Sequence, residues 1–500
     1  MRSWWRSLGL LAGGVVSLGG IATFASAQFP PQGPGGFGMP PGGGMMGSPS
    51  GMGMPSGMGI VPSAGMTGPP PGAFGGNPIL VGRPAEFPNP AQPSQEPASP
   101  FSIRDDGMPN AFTELIDPRP RVLPPYTMAF RGEYLRWWIP HGPNAAVLVT
   151  TSTTGLATGE TGALGEPHTV SLVSPGDNTA NYGWSSGFRL SMGLVINNLP
   201  PIEVSGFSFN RNAPIFAAGS TNATGQFLAR PVQLSNIMTS LISGTEAVEF
   251  VNIPGIAAGT VKVDSRLSLW GIEANGLFNA IGADRLKIDL LLGYRHTDLY
   301  EAFEIQNTLV GIKGNVNFAG KTFPTGFSTS VIDSFKARNA FDGGQFGFRT
   351  TLGLVERVAL ISDLKFAMGL TNQTLTIGGS STVNAAVANR PSGTLDGGIL
   401  ALASNSGQRS HSEFSVIPEA NLGLSCQLNS WCRIFGGYNI LYWSSVIRPG
   451  DHINNVVDSR QIPTDQDFNP NVQPTTPAFP SFVTRSFFVH GFFAGVEFEF

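Results

Sequence analysis

The stretch Phe487–Phe500 reads FFVHGFFAGVEFEF. Phe492, Ala494, Val496, Phe498 and Phe500 are apolar, whereas Gly495, Glu497 and Glu499 between them are small or charged. A side-chain period of two is the period of a β-strand. In a soluble protein such a strand would leave an aromatic row and unpaired backbone groups beside a free terminus, an invitation to aggregation. A closed barrel removes both problems, because its outer face meets lipid and its inner face meets polar side chains or water.

The other end is consistent with export. Arg2 and Arg6 form a basic head, an apolar run extends from Leu8 to Phe24, and Ala25-Ser26-Ala27 is a small-residue cleavage site. Residues 1–27 therefore read as a secretory signal peptide rather than an anchor helix. No later stretch has the roughly 18 consecutive apolar residues that a spanning helix requires. Residues 28–124, with runs such as PPQGPGGFGMPPGGGMMGSPSG, are too poor in branched residues to bury a core and read as a disordered Gly/Pro/Met-rich segment. Its methionines carry no enforced spacing and no accompanying Cys or His, which favours a flexible spacer over a copper site.

Charged residues make up 12% of the chain and glycine 65 of its 500 residues, and the net charge of −4 gives no electrostatic case for nucleic acid. From 125 onward, strands can be read near 128–139, 184–197, 201–210, 264–279, 285–304, 342–355, 358–377, 412–428, 432–444 and 486–500. In GFRLSMGLVI, Phe188, Leu190, Met192, Leu194 and Ile196 share one face and Arg189 the other. LKIDLLLGYR and EFSVIPEANLGLSCQL repeat the pattern. PIEVSGFSF shifts its apolar phase between Val204 and Phe207, which suggests a bulge at Gly206.

The connections decide the class. Long and short alternate strictly, with short ones at NNLPP, NAIGADR, VER and NSW. Compact soluble domains use connections with a median near 4 to 6 residues. Outer-membrane barrels alternate short periplasmic turns with long outer loops and use an even number of strands. The expected fold is all-β: a single closed antiparallel transmembrane barrel of about 10 strands over 125–500. The expected location is the outer membrane, with the loops extracellular and the termini periplasmic.

On this topology the charges expected to face the lumen are Arg189, Glu273, Lys287, Asp289, Arg295, Arg349, Asp363, Lys365, Glu419, Arg433, Glu497 and Glu499. Trp137, Trp138, Tyr182, Trp184, Tyr442 and Trp443 fall at the outer rim, where an aromatic girdle belongs. A tight turn centred on Asn429 would set Cys426 opposite Cys432 and permit a cross-hairpin disulfide.

Several of these stretches resemble a known family. EYLRWW (133–138), GFRLSMG, RLSLWGIEAN (266–275), LLGYRHTDLYE (291–301), GGQFGFR (343–349) and YNILYWSSVIRPGDHIN (438–454) are similar, in order, to planctomycete outer-membrane proteins grouped as beta-barrel porin family seven. The resemblance covers about 130–500 and implies a barrel with long outer loops. It brings no substrate with it. Its usual RPGDQI motif departs here at His452. The likeness to outer-membrane barrels also implies that Phe500 is read by the barrel assembly machinery.

Other chemistry is sparse. GNVNFAGKT (314–322) has five residues between its glycines where a phosphate-binding loop needs four. The six histidines lack metal-site spacing, and no cofactor is expected. An omptin-like hydrolase would need an Asp–His couple at the rim, for which His296 with Asp298, or Asp451 with His452, are the candidates. The leading expectation is not an enzyme but an envelope barrel that either passes a small solute or serves structurally. The alternative is a surface-binding protein whose long loops meet a partner.

Overall fold

A computed structural model describes residues 126–500, apart from 154–160, 177–179, 197–198, 223, 236–244, 315, 319–320, 385–391, 472 and 474–475. The expected signal peptide at 1–27 and the Gly/Pro/Met-rich segment at 28–124 lie outside the described residues.

Ten long strands form the barrel: β1 Tyr126–Ile139, β2 Gly183–Ile196, β3 Ile202–Ser220, β4 Ala257–Gly282, β5 Leu286–Gly311, β6 Ser328–Val355, β7 Val358–Asn384, β8 Gly407–Asn429, β9 Cys432–Ile447 and β10 Thr484–Glu499. Each pairs antiparallel with its sequence neighbours, and β1 pairs with both β2 and β10, so the sheet closes. A further short strand, Gly393–Asp396, pairs only with β7 within that sheet. Phe500 and Met128 exchange backbone hydrogen bonds of 2.9 and 3.0 Å beside the β1–β10 seam. The connections 197–201, 283–285, 356–357 and 430–431 mark a turn end, and 140–182, 221–256, 312–327, 385–406 and 448–483 a loop end.

Strands β3 to β8 run further toward the loop end than the sequence suggests, and the loop connections are correspondingly shorter. The reason is a change of solvent along one strand. On β6, Phe346 and Phe348 point outward while Gln345 and Arg349 point inward; loopward of Asp342 the apolar residues Val331, Phe335, Ala337 and Phe341 are inside and Lys336 and Arg338 outside. On β4 the switch falls at Trp270, with Ile272 and Phe278 outward on one side and Val261, Val263, Leu267 and Leu269 inward on the other. Lipid bathes one part of the wall and water the other, so the apolar phase inverts while the backbone ladder continues.

The bulge expected at Gly206 is absent: β3 pairs without interruption from Ile202 to Pro214, and the register shift falls between Pro214 and Phe216. The apolar phase changes at Phe207 because Phe207 and Phe209 fill the lumen.

The loop end is filled. Val149–Ser152, Thr169–Val173, Leu228–Leu234, Thr245–Asn252 and Val456–Val457 form a small sheet. Its apolar side chains, together with Ile399 to Leu402, pack on the inner wall at Val261, Val263, Phe303, Ile305, Phe335 and Leu375. The loops thus make a cap with its own hydrophobic core.

Candidate functional site: the occluded lumen

A lumen-facing charge on a barrel strand cannot reach bulk water without a channel, so it must find a partner across the interior. The central layer solves this with three cations and three anions. Arg189 on β2 lies 2.9 Å from Glu419 on β8 and 3.5 Å from Glu133 on β1. Arg295 on β5 reaches the other Glu419 oxygen at 2.7 Å and lies 3.9 Å from Glu273 on β4. Lys365 on β7 pairs with Glu273. Neutral groups complete the layer. Gln345 donates to Glu273 at 3.0 Å and to Asn275 at 2.9 Å, and Asn439 donates to Glu419 at 3.2 Å.

The strands joined in this way are not neighbours. Between β2 and β8 lie β1, β10 and β9, and between β5 and β8 lie β6 and β7. The Arg189–Glu419–Arg295 chain therefore crosses the lumen, and every member is buried; Glu419 is only 3% exposed. Cations and anions alternate through the layer, the arrangement in which buried charges are tolerable.

A second charged layer lies toward the turn end. Arg349 bridges Glu203 at 2.7 Å and Asp363 at 2.9 Å, Arg131 holds Glu133 at 2.8 Å, and Arg433 pairs with Glu497. Lys287 pairs with Asp289 at 3.0 Å, with its side chain largely exposed, and Glu499 is exposed at the mouth. On the loop side of the central layer sits an apolar one: Leu135, Trp137, Phe209, Leu269, Leu299, Phe341, Ile417 and Trp443. Trp137 stacks on Phe209 with centroids 4.6 Å apart.

The girdle assignment is corrected here. Trp138, Trp184 and Tyr442 face outward, but Trp137 and Trp443 are fully buried in the lumen and Tyr182 is buried just before β2. Successive residues of a strand point to opposite faces, so only one member of a Trp-Trp or Tyr-Trp pair can meet lipid. Trp443 donates its indole N–H to Thr371 at 3.0 Å, and the Tyr182 hydroxyl bonds to Ser265. Burial and the nearby Glu301 carboxylate push the Tyr182 phenol far above its ordinary value. Trp270 shares the outward, even-numbered phase of Ile272 on β4, and Trp431 is exposed in the turn before β9; both belong to the aromatic rims, and only Trp270 carries a strand-phase signal in the sequence.

The disulfide is also corrected. Cys426 pairs with Ile434 and Cys432 with Asn429, because the ladder shifts register between Gln427 and Asn429; both thiols are free.

The cap is fastened by buried polar groups that no sequence pattern announced. Asp333, fully buried, pairs with Arg230 at 2.7 Å, and its other oxygen accepts from the N–H groups of Ile399, Leu400 and Ala401 at 3.0, 2.9 and 2.8 Å. A Cβ on Gly398 would lie 2.1 Å from that oxygen, so the turn requires glycine there. Arg448 donates to Glu301 at 2.7 Å and to the His141 carbonyl at 3.0 Å. Asn339 donates to the Ile447 carbonyl and accepts its N–H, at 2.9 and 2.7 Å.

His452 anchors the last loop. Its Nδ1 lies 2.8 Å from the Arg448 carbonyl, and Nε2 accepts from the Val483 N–H at 3.1 Å. A carbonyl only accepts and a backbone N–H only donates, so the ring is neutral with its proton on Nδ1. Burial lowers its pKa from the ordinary value, in the same direction.

The Asp–His couples expected of a hydrolase are taken apart. His296 pairs with Asp342 at 2.8 Å on the outer wall, while Asp298 is held by Arg338 at 2.7 Å. Asp451 is held by Arg485 at 2.7 Å and His452 by the backbone bonds above. Among the described residues, no group of three or more His, Cys, Asp or Glu is placed to hold a metal.

Weak structural likenesses exist to solved barrels. The outer membrane protease OmpT of Escherichia coli matches with a TM-score of 0.30 at 8% identity, covering 76% of this chain and 99% of that one. A Pseudomonas aeruginosa FadL homologue gives 0.19 at 8% identity, covering 75% and 90%. Vibrio cholerae OmpT gives 0.10 at 12%, covering 76% and 99%. No curated protein matches the chain. A family model described as "Putative beta barrel porin-7 (BBP7)" matches residues 130–500, which span every barrel strand except the first few residues of β1, and the chain belongs to that family.

Proposed function

We propose that this protein is a closed outer-membrane barrel, an envelope component that presents a folded cap at the cell surface and does not serve as an open passive pore. The observation that carries the reading is the Arg189–Glu419–Arg295 bridge between strands on opposite sides of the lumen. Opening a path for a solute would mean parting buried charges at a cost of several kcal/mol per ion, with an apolar layer and a packed cap still in the way. The alternation of short turns and long loops supports placing the loop end outside the cell and the turn end in the periplasm. Because the Asp–His couples are each committed to other partners, hydrolytic activity is not part of this proposal.

The test is single-channel recording of the purified full chain in planar bilayers. The expected trace has no steady conductance steps above the lipid baseline. Stable, voltage-independent open steps from the unmodified protein would refute the closed reading.

A further inference from the structure

We infer that Arg136 is a binding site for the phosphate of an anionic lipid headgroup in the leaflet at the loop end. Arg136 lies on β1 in the outward phase, exposed, in the row it shares with Ser186 of β2 and Phe492 of β10. One row loopward are Trp138, Trp184 and His490; one row toward the turn end is Tyr134. The guanidinium donates to Ser186 Oγ at 2.9 Å, and the Tyr134 hydroxyl bonds to the same oxygen at 2.7 Å. No carboxylate pairs with Arg136 among the described residues. The other outward positions of β1, β2, β9 and β10 at this level and toward the turn end carry no Asp, Glu, Lys or Arg.

Its height is what makes the lone charge informative. Phe500 stands eight residues from Phe492 on the same face. At about 3.3 Å per residue and a tilt of about 40°, that is roughly 20 Å along the membrane normal. The apolar band of such barrels is about 25 Å tall, so Arg136 sits just inside its loop-side edge. A permanently charged group at that depth needs an anion, and none of the described residues supplies one. Lipid phosphates lie within reach of its long stem. Around it are flat surfaces for a headgroup and upper acyl chain: Trp184 stacked on Phe492 at 5.9 Å, Trp138 at 5.5 Å from His490, and Tyr438 edge-on to Phe492 at 5.1 Å. The basic residues Arg266, Lys336 and Arg338 on the opposite wall differ, since they lie above the lipid boundary and Arg338 is already paired with Asp298.

Native mass spectrometry of the full chain, released from mixed micelles holding phosphatidylglycerol and phosphatidylcholine in equal amounts, tests the site. The protein should retain phosphatidylglycerol about fivefold over phosphatidylcholine, the factor expected for one basic residue at an anionic surface. Arg136→Gln, which keeps a donor for Ser186, should bring the ratio close to one, and Arg136→Lys should retain most of the preference. No preference in the unmodified protein, an unchanged ratio in Arg136→Gln, or equal loss in both variants would each overturn the assignment. Inorganic phosphate added in excess should leave the retained lipid in place; its displacement would mean a free-anion site and would also overturn it.

Discussion

Glu419 is the hinge of the lumenal network, and replacing it with glutamine isolates its charge. In the native chain its two oxygens meet Arg189 and Arg295 at 2.9 and 2.7 Å, with Asn439 adding a bond of 3.2 Å. Glutamine has nearly the same volume, so no cavity opens, but one oxygen becomes a donor facing an arginine. Removing one partner of a buried ion pair costs about 3 to 5 kcal/mol. The lower end applies here, because Arg189 keeps Glu133 at 3.5 Å and Arg295 keeps Glu273 at 3.9 Å and a hydrogen bond to Gln345 of 3.2 Å. Glu419→Gln should therefore lose about 3 kcal/mol. The measurement is reversible urea unfolding of the barrel from vesicles, followed by tryptophan fluorescence. Glu413→Gln serves as the control: its partner His411 lies at 3.3 Å and both side chains are largely exposed, so its loss should stay below about 1 kcal/mol. Coupling should appear in a double-mutant cycle with Arg295→Gln, where the second substitution costs much less than the first. Equal midpoints for Glu419→Gln and Glu413→Gln would refute the claim that the cross-lumen bridge is desolvated and structural.

Val496 faces outward four residues from Phe500, about 10 Å into the apolar band at about 3.3 Å per residue and a tilt of about 40°, and Phe498 stacks on Trp431 near the turn end. Val496→Arg should impair assembly more than Phe498→Arg, because arginine costs about 2 to 4 kcal/mol deep in the bilayer and less near its edge; a heat-shift gel of outer membranes reads the folded fraction, and the reverse order would displace the lipid boundary. Glu497→Gln, which loses only the partly exposed pair with Arg433, should assemble nearly as the native chain does. Asp333→Asn should loosen the cap without unfolding the barrel, since it weakens both the Arg230 pair and the three backbone bonds; hydrogen exchange at 399–401 should rise while that of β7 is unchanged. For His452 the folded pKa is depressed below the ordinary 6.5, so the unfolded loop binds the proton more readily. The contribution of His452 is complete above about pH 6.5 and is lost as pH falls through the folded value. Acid should therefore release 448–483 to protease before the barrel melts. His452→Gln, which again offers one donor and one acceptor, should remove that acid step, and persistence of the step would assign it to another group.

Strand identity, closure and the sense of each face were legible in the chain because lipid imposes one rule on every spanning strand: apolar outward, at period two. FFVHGFFAGVEFEF, GFRLSMGLVI and LKIDLLLGYR each satisfy it locally, with no knowledge of their neighbours. The same rule explains the errors. It stops at the membrane edge, so the loopward extensions of β4 to β7 at 257–263, 305–311, 328–341 and 378–384, where water is outside and Val261, Ile305, Phe335 and Val383 are inside, do not read as strand. It also assumes a polar interior, so it places Trp137 and Trp443 at the rim and reads the phase change between Val204 and Phe207 as a bulge at Gly206, although Trp137, Trp443 and Phe207 fill the lumen. Which inward charges meet was beyond the sequence altogether. Arg189 and Glu419 are 230 residues apart and sit on strands separated by three others; only closing the ring at one diameter and one stagger brings them to 2.9 Å. Composition supplied a balanced set of inward charges. The tertiary structure decided that they bridge the lumen and close it.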